Sequence, residues 1–85
     1  MPTAAAQPPD EFEQALISVF REAMAARDVS GAELARRTGI SEPQVSLLFS
    51  GRRSLRFGQF VAICHALGLS PSTITTIAEG RVDES

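Results

Sequence analysis

Residues Gly31 to Ser50 read GAELARRTGISEPQVSLLFS, and the fold of the whole chain turns on them. The spacing predicts two short helices joined by a tight turn. Leu34 and Ala35 face inward from the first helix, and the small Ala35 lets the second cross close above it. Gly39, following Thr38, ends the first helix by supplying the left-handed backbone that a residue with a Cβ resists. Ile40 fills the elbow. Val45, Leu48 and Phe49, spaced i, i+3 and i+4, return from the second helix to the same core.

The start signals agree with that reading. Ser30 with Glu33 and Ser41 with Gln44 have the spacing of capping boxes, and Val29 and Ile40 are placed to staple onto Leu34 and Val45. Pro43 falls in the first turn of the second helix, where its missing N–H is not needed. These residues make a helix-turn-helix, whose second helix is of the kind that enters a DNA major groove.

Working outward, Asp10 is an N-cap with Glu13 three residues on. A helix then runs to about Arg27 with Phe12, Leu16, Val19, Phe20 and Ala23 on one stripe. Asp28-Val29 links it to the motif. Gly51 closes the motif's second helix, and Arg52-Arg53-Ser54 forms a basic loop. The pattern then predicts a helix from about Phe57 to Leu67 that buries Phe57, Phe60, Val61, Cys64 and Leu67, slightly weakened by Gly58. Gly68 ends it. Ser70 caps a short fifth helix, with Pro71 at its first position, Leu69 stapling onto Ile74, and an end near Ala78. Residues 1–9 (small and proline-rich) and 80–85 read as tails around one domain over 10–79. No stretch alternates as a strand does, so the expected class is all-α, a five-helix bundle.

An 85-residue chain suits one small domain that buries roughly 60% of its surface. A single cysteine and no signal-peptide pattern point to a reducing cytoplasm, and no apolar run approaches the ~20 residues of a membrane span. His65 beside Cys64 does not make a zinc site, so no metal or cofactor is expected, nor catalysis. The net charge of −2 argues at first sight against a polyanionic partner, but the distribution reverses that inference. Residues 1–28 balance at −3, residues 29–58 at +3 and residues 59–85 at −2. The positive segment is the motif and the loop after it. All its basic residues are arginines, whose planar fork matches phosphate.

VSGAELARRTGIS, VSLLFSGRRSL and LGLS together resemble the lambda repressor and Cro-like (XRE-type) helix-turn-helix family of phage and bacterial regulators. The resemblance runs from about Phe12 to Ala78. Its most specific parts are Leu34-Ala35, Gly39, Val45, Leu48-Phe49, Ser50-Gly51 and Ala66-Leu67-Gly68. It implies a five-helix lambda-repressor-like bundle binding palindromic operator DNA as a homodimer. By the same resemblance Glu42, Pro43, Gln44 and Leu47 are base-reading positions. Ser30, Gly31, Ser46, Ser50, Arg52, Arg53 and Arg56 are phosphate positions, and Ile74 and Ile77 lie on the helix that seats a second protomer. Two residues depart from the pattern. Gly31 stands where the family often has glutamine, leaving only backbone N–H groups, and Glu42 brings an anion to the DNA side.

Each position also has a plainer reading. Gln44 is the capping partner of Ser41, and Glu42 favours the positive end of its helix. Leu47 is ordinary partial burial, and the loop arginines are simply solvated. Arg36 and Arg37 relieve the dipole at the last turn of their helix. One of Ile74 and Ile77 closes the core. The expected function is a DNA-binding transcriptional regulator, most simply a nucleoid-associated repressor. The alternatives are the antitoxin of a toxin–antitoxin pair, a restriction–modification controller, or a protein-interaction module on the same fold.

Overall fold

The computed structural model describes residues 10–84. The tail expected over residues 1–9 lies outside them. Five helices follow in order: α1 (Glu11–Arg27), α2 (Gly31–Thr38), α3 (Glu42–Phe49), α4 (Phe57–Leu67) and α5 (Pro71–Glu84). Helix α1 packs chiefly on α5, while α2 packs on both α3 and α4. Among the described residues no single helix is long and apolar enough to cross a membrane.

Each of the first three helices opens on an acceptor held in extended backbone. Asp10 Oδ1 accepts from the Glu13 N–H at 2.8 Å, Ser30 Oγ from Glu33 at 3.1 Å, and Ser41 Oγ from Gln44 at 3.3 Å. The reciprocal half of each box is missing, because another partner has taken the side chain. Glu13 Oε1 accepts from Ser54 Oγ at 2.6 Å and from the Leu55 N–H at 2.9 Å. Glu33 takes Arg36 and Arg37, and Gln44 takes Gln59. At α4 the division is inverted: Arg56 offers no acceptor, and Gln59 Oε1 alone accepts the Arg56 N–H at 3.0 Å. A carboxylate or amide at the third position thus serves whichever donor is nearer.

The first four helices end in left-handed backbone. Gly51 has φ +78°, its N–H bonds to Leu48 O and the Arg52 N–H to Leu47 O, a Schellman pairing that turns the chain out of α3. Asp28 holds the same conformation at the end of α1 with φ 56°, tolerable for a short polar side chain.

Leu16, Val19 and Phe20 of α1 meet Leu34, Ala35, Val45, Phe60, Ile63, Cys64, Leu67, Ile74 and Ala78 in one core. The Phe20 and Phe60 rings lie 5.9 Å apart. Two expectations for α4 need correcting. Phe57 is 80% exposed, and the buried stripe runs through Phe60, Ile63, Cys64 and Leu67, with Val61 only half-buried. Helical side chains lean toward the N-terminus, so a residue on the first turn projects past the end of the bundle. Phe57 therefore reaches Phe60 at 6.5 Å and otherwise faces solvent. The Cys64 thiol is fully buried, and burial pushes its pKa up, keeping it an inert thiol.

The fifth helix does not end near Ala78 but continues through Gly80 to Glu84. Arg81 forms a two-pronged pair with Glu22 of α1, both contacts at 2.7 Å, and a 3.4 Å bond to Ser18 Oγ. Packing on α1 thus carries the helix over a glycine that local propensity would make its end. Gly80 is exposed, and a Cβ there would meet nothing within 4 Å. Gly80→Ala is expected to stabilise the fold by about 0.5–1 kcal/mol in thermal unfolding. A loss of stability would mean that the helix stops short of it.

The Arg81 hydrogen bond, outweighing the opposing desolvation, holds the Glu22 carboxyl below its ordinary pKa. A carboxylate whose folded pKa lies below its unfolded one contributes stability above the unfolded value and loses it as pH falls through the folded value. Glu22→Gln should therefore lower the melting temperature near pH 7. The difference from wild type should close as pH drops through the carboxylate range. A pH-independent difference would mean that the charge pair is not the cause.

Candidate nucleic-acid interface

Short helices need a rigid frame to hold an exposed face, and α3 has one. Val45 and Leu48 are buried, Phe49 is half-buried, and the Arg21 guanidinium lies 5.8 Å from the Phe49 ring centroid. The opposite side carries Glu42, Pro43 and Ser46, all exposed, with Gln44 and Leu47 half-exposed. Leu47 also holds the start of the following loop. Its carbonyl is occupied by the Arg52 N–H at 3.0 Å and by Ser50 Oγ at 3.2 Å.

Beyond α3 the chain presents Arg52, Arg53 and Arg56, all exposed and none in an ion pair among the described residues. The remaining arginines of the positive segment are spoken for. Arg36 pairs with Glu33, and Arg37 Nε lies 2.8 Å from Glu33 Oε2. Arg37 Nη1 also donates to Ala66 O at 3.3 Å, bracing α2 against α4. Hydrogen bonds from Arg37 first and Arg36 second keep the Glu33 carboxyl below its ordinary pKa. Arg36 and Arg37 share one carboxylate, so most of the segment's uncompensated positive charge lies between α3 and α4. Glu13, on α1, ties down the C-terminal end of the same loop through Ser54 and Leu55.

Ser30 and Gly31 lie at the start of α2, exposed, and Ser30 Oγ is committed to its cap. Gly31, Pro43 and Ser46 share the wall of an open groove of about 810 Å³ with Arg21, Met24 and Phe49. A Cβ on Gly31 would meet only Val45 Cγ1, at 3.9 Å, so packing does not demand the glycine. Ile74 and Ile77 separate: Ile74 is buried in the protomer's own core and is not available to a second copy, whereas Ile77 is 40% exposed. Two roles that local spacing does not announce matter here, the hold of Glu13 on the loop and that of Gln59 on the α4 entry. An Arg-x-x-Gln spacing at the entry to α4 is a capping pattern in its reciprocal half only, and a search starting from Ser, Thr or Asp passes over it.

A two-helix motif with its second helix open on one side, flanked by a loop of unpaired arginines, defines a helix-turn-helix DNA-binding domain. The chain belongs to the Cro/C1-type HTH DNA-binding domain family, whose model matches residues 20–79. Solved structures agree. The clp gene regulator ClgR from Corynebacterium glutamicum is 30% identical with a TM-score of 0.73, over 82% of this chain and 91% of that one. An XRE-family like protein from Pseudomonas syringae pv. tomato gives 28%, 0.75, 82% and 85% for the same measures. The hypothetical transcription factor NHTF from Neisseria gives 25%, 0.70, 86% and 84%. No curated protein sequence matches the chain significantly.

Proposed function

We propose that this protein is a sequence-specific transcriptional regulator, most simply a repressor that occupies a promoter. Helix α3 enters the major groove, where Gln44, Pro43, Leu47 and Glu42 meet base edges. Arg52, Arg53 and Arg56 hold phosphates, with Ser46, Ser50 and the α2 start at Ser30-Gly31 beside them. The observation that carries this reading is the segregation of arginines: those near Glu33 share its carboxylate, and those after α3 pair with no acid among the described residues. A domain this small offers few base contacts, so a homodimer on two half-sites about one helical turn apart is the working form. Ile77 is its available apolar contact. An antitoxin role adds a protein partner to the same DNA function and would show as co-purification with a toxin.

Selection from random duplex DNA at two salt concentrations tests the proposal. A palindromic consensus whose recovery falls steeply with salt is expected. Failure to retain any duplex even at low salt would instead leave a protein-interaction module.

A further inference from the structure

Gln59 links the α4 entry to the recognition helix through two hydrogen bonds of fixed sense. The Arg56 backbone N–H is a donor only, so Gln59 must turn Oε1 toward it, at 3.0 Å. That leaves Gln59 Nε2, also a donor only, facing Gln44, and it donates to Gln44 Oε1 at 3.4 Å. Gln44 must then point its own Nε2 away. This amide nitrogen has no partner among the described residues. Gln44 is only half-exposed, yet no buried side-chain nitrogen or oxygen is left unsatisfied among them, so Gln44 Nε2 reaches solvent.

From this relay we infer that Gln59 is a positioning residue that sets the polarity of Gln44, its acceptor end toward α4 and its donor end toward the bases. The inference rests on the DNA-binding reading above and deepens it. A side chain leading with N–H donors suits guanine best, whose major-groove edge carries two acceptors, N7 and O6. Adenine N7 and thymine O4 offer it one acceptor each, and it is mismatched to the amino group of cytosine. An unsupported glutamine would turn over freely and lose this discrimination.

The test exploits the sense of the bonds. In Gln59→Glu the carboxylate still accepts the Arg56 N–H, but its second oxygen accepts from Gln44, which must turn over and lead with Oε1. Gln59→Met removes both bonds while filling similar space. Base selection is run on the three full-length proteins, with melting temperature and salt dependence measured alongside. Wild type is expected to prefer guanine at one half-site position by about 5- to 100-fold. Gln59→Met should flatten the preference at that position alone, with the slope against salt and the melting temperature little changed. Gln59→Glu should move the preference there to a base presenting an amino group, cytosine foremost. DNA binding with the same preference in all three proteins would overturn the inference and leave the DNA-binding reading intact. Absence of binding by wild type at low salt would overturn both.

Discussion

Replacing Arg52 and Arg53 together by glutamine is expected to weaken DNA binding about 30-fold at 0.15 M salt and to reduce the slope of log K against log salt by about 1.8. Counterion release sets both magnitudes. Each phosphate neutralised contributes a slope of about 0.9, and two such contributions at 0.15 M amount to about 30-fold relative to 1 M salt. Glutamine keeps a polar side chain of similar reach without the charge. Both arginines are exposed, so the fold is expected to melt as wild type does. The loss should be the same on the consensus and on unrelated duplex, because phosphate contacts position the protein and carry no sequence information. An unchanged salt slope in the double variant would remove both residues from the phosphate contact. A loss confined to the consensus would make them base readers instead.

Phe20→Ala acts on the frame instead of the face. The ring is fully buried, meets Phe60 in a tilted contact at 5.9 Å, and couples α1 to α4 through the core. Its removal is expected to cost about 3–5 kcal/mol, transfer and cavity terms together. A domain of this size has only about 5–10 kcal/mol to lose, so the variant should melt at least about 12 °C lower. Saturating consensus duplex should recover part of that drop, since a ligand that binds only the folded state stabilises it by mass action. Phe20→Leu, which keeps most of the apolar volume, should fall between the two. A Phe20→Ala protein that melts within a few degrees of wild type would show that the α1–α4 contact is not central to the core.

The comparison of these two variants also separates what sequence spacing reveals from what it hides. The motif was legible because its landmarks are local. Ser30, Gly39, Ser41 and Gly51 act on backbone groups within four residues of themselves, and the Val45, Leu48 stripe follows from helical period alone. What escaped was decided by residues far away in the chain. Glu13 is spaced as a capping partner, yet a loop more than forty positions on competes for its carboxylate and wins. Helix α5 reads as short because Thr, Ile and Gly are weak helix formers. Its real length depends on Arg81 finding Glu22, 59 positions away. Phe57 lies on the right stripe, but whether a first-turn side chain is covered depends on what stands beyond the helix end, which periodicity does not encode. The candidate site divides the same way. Composition located the arginines, but only the three-dimensional arrangement shows which of them already have an acid beside them.

The tether from Glu13 to Ser54 and Leu55 has a consequence for the speed and tightness of association. A free arginine loop surrenders its backbone freedom only when it meets the polyanion, which subtracts from affinity and slows productive docking. Here one end of the loop is immobilised during folding, by the acidic helix on the far side of the chain's charge map. The negative first third of the molecule is therefore no obstacle to a polyanionic partner, since one of its carboxylates serves as the mooring that keeps the guanidinium groups waiting in place.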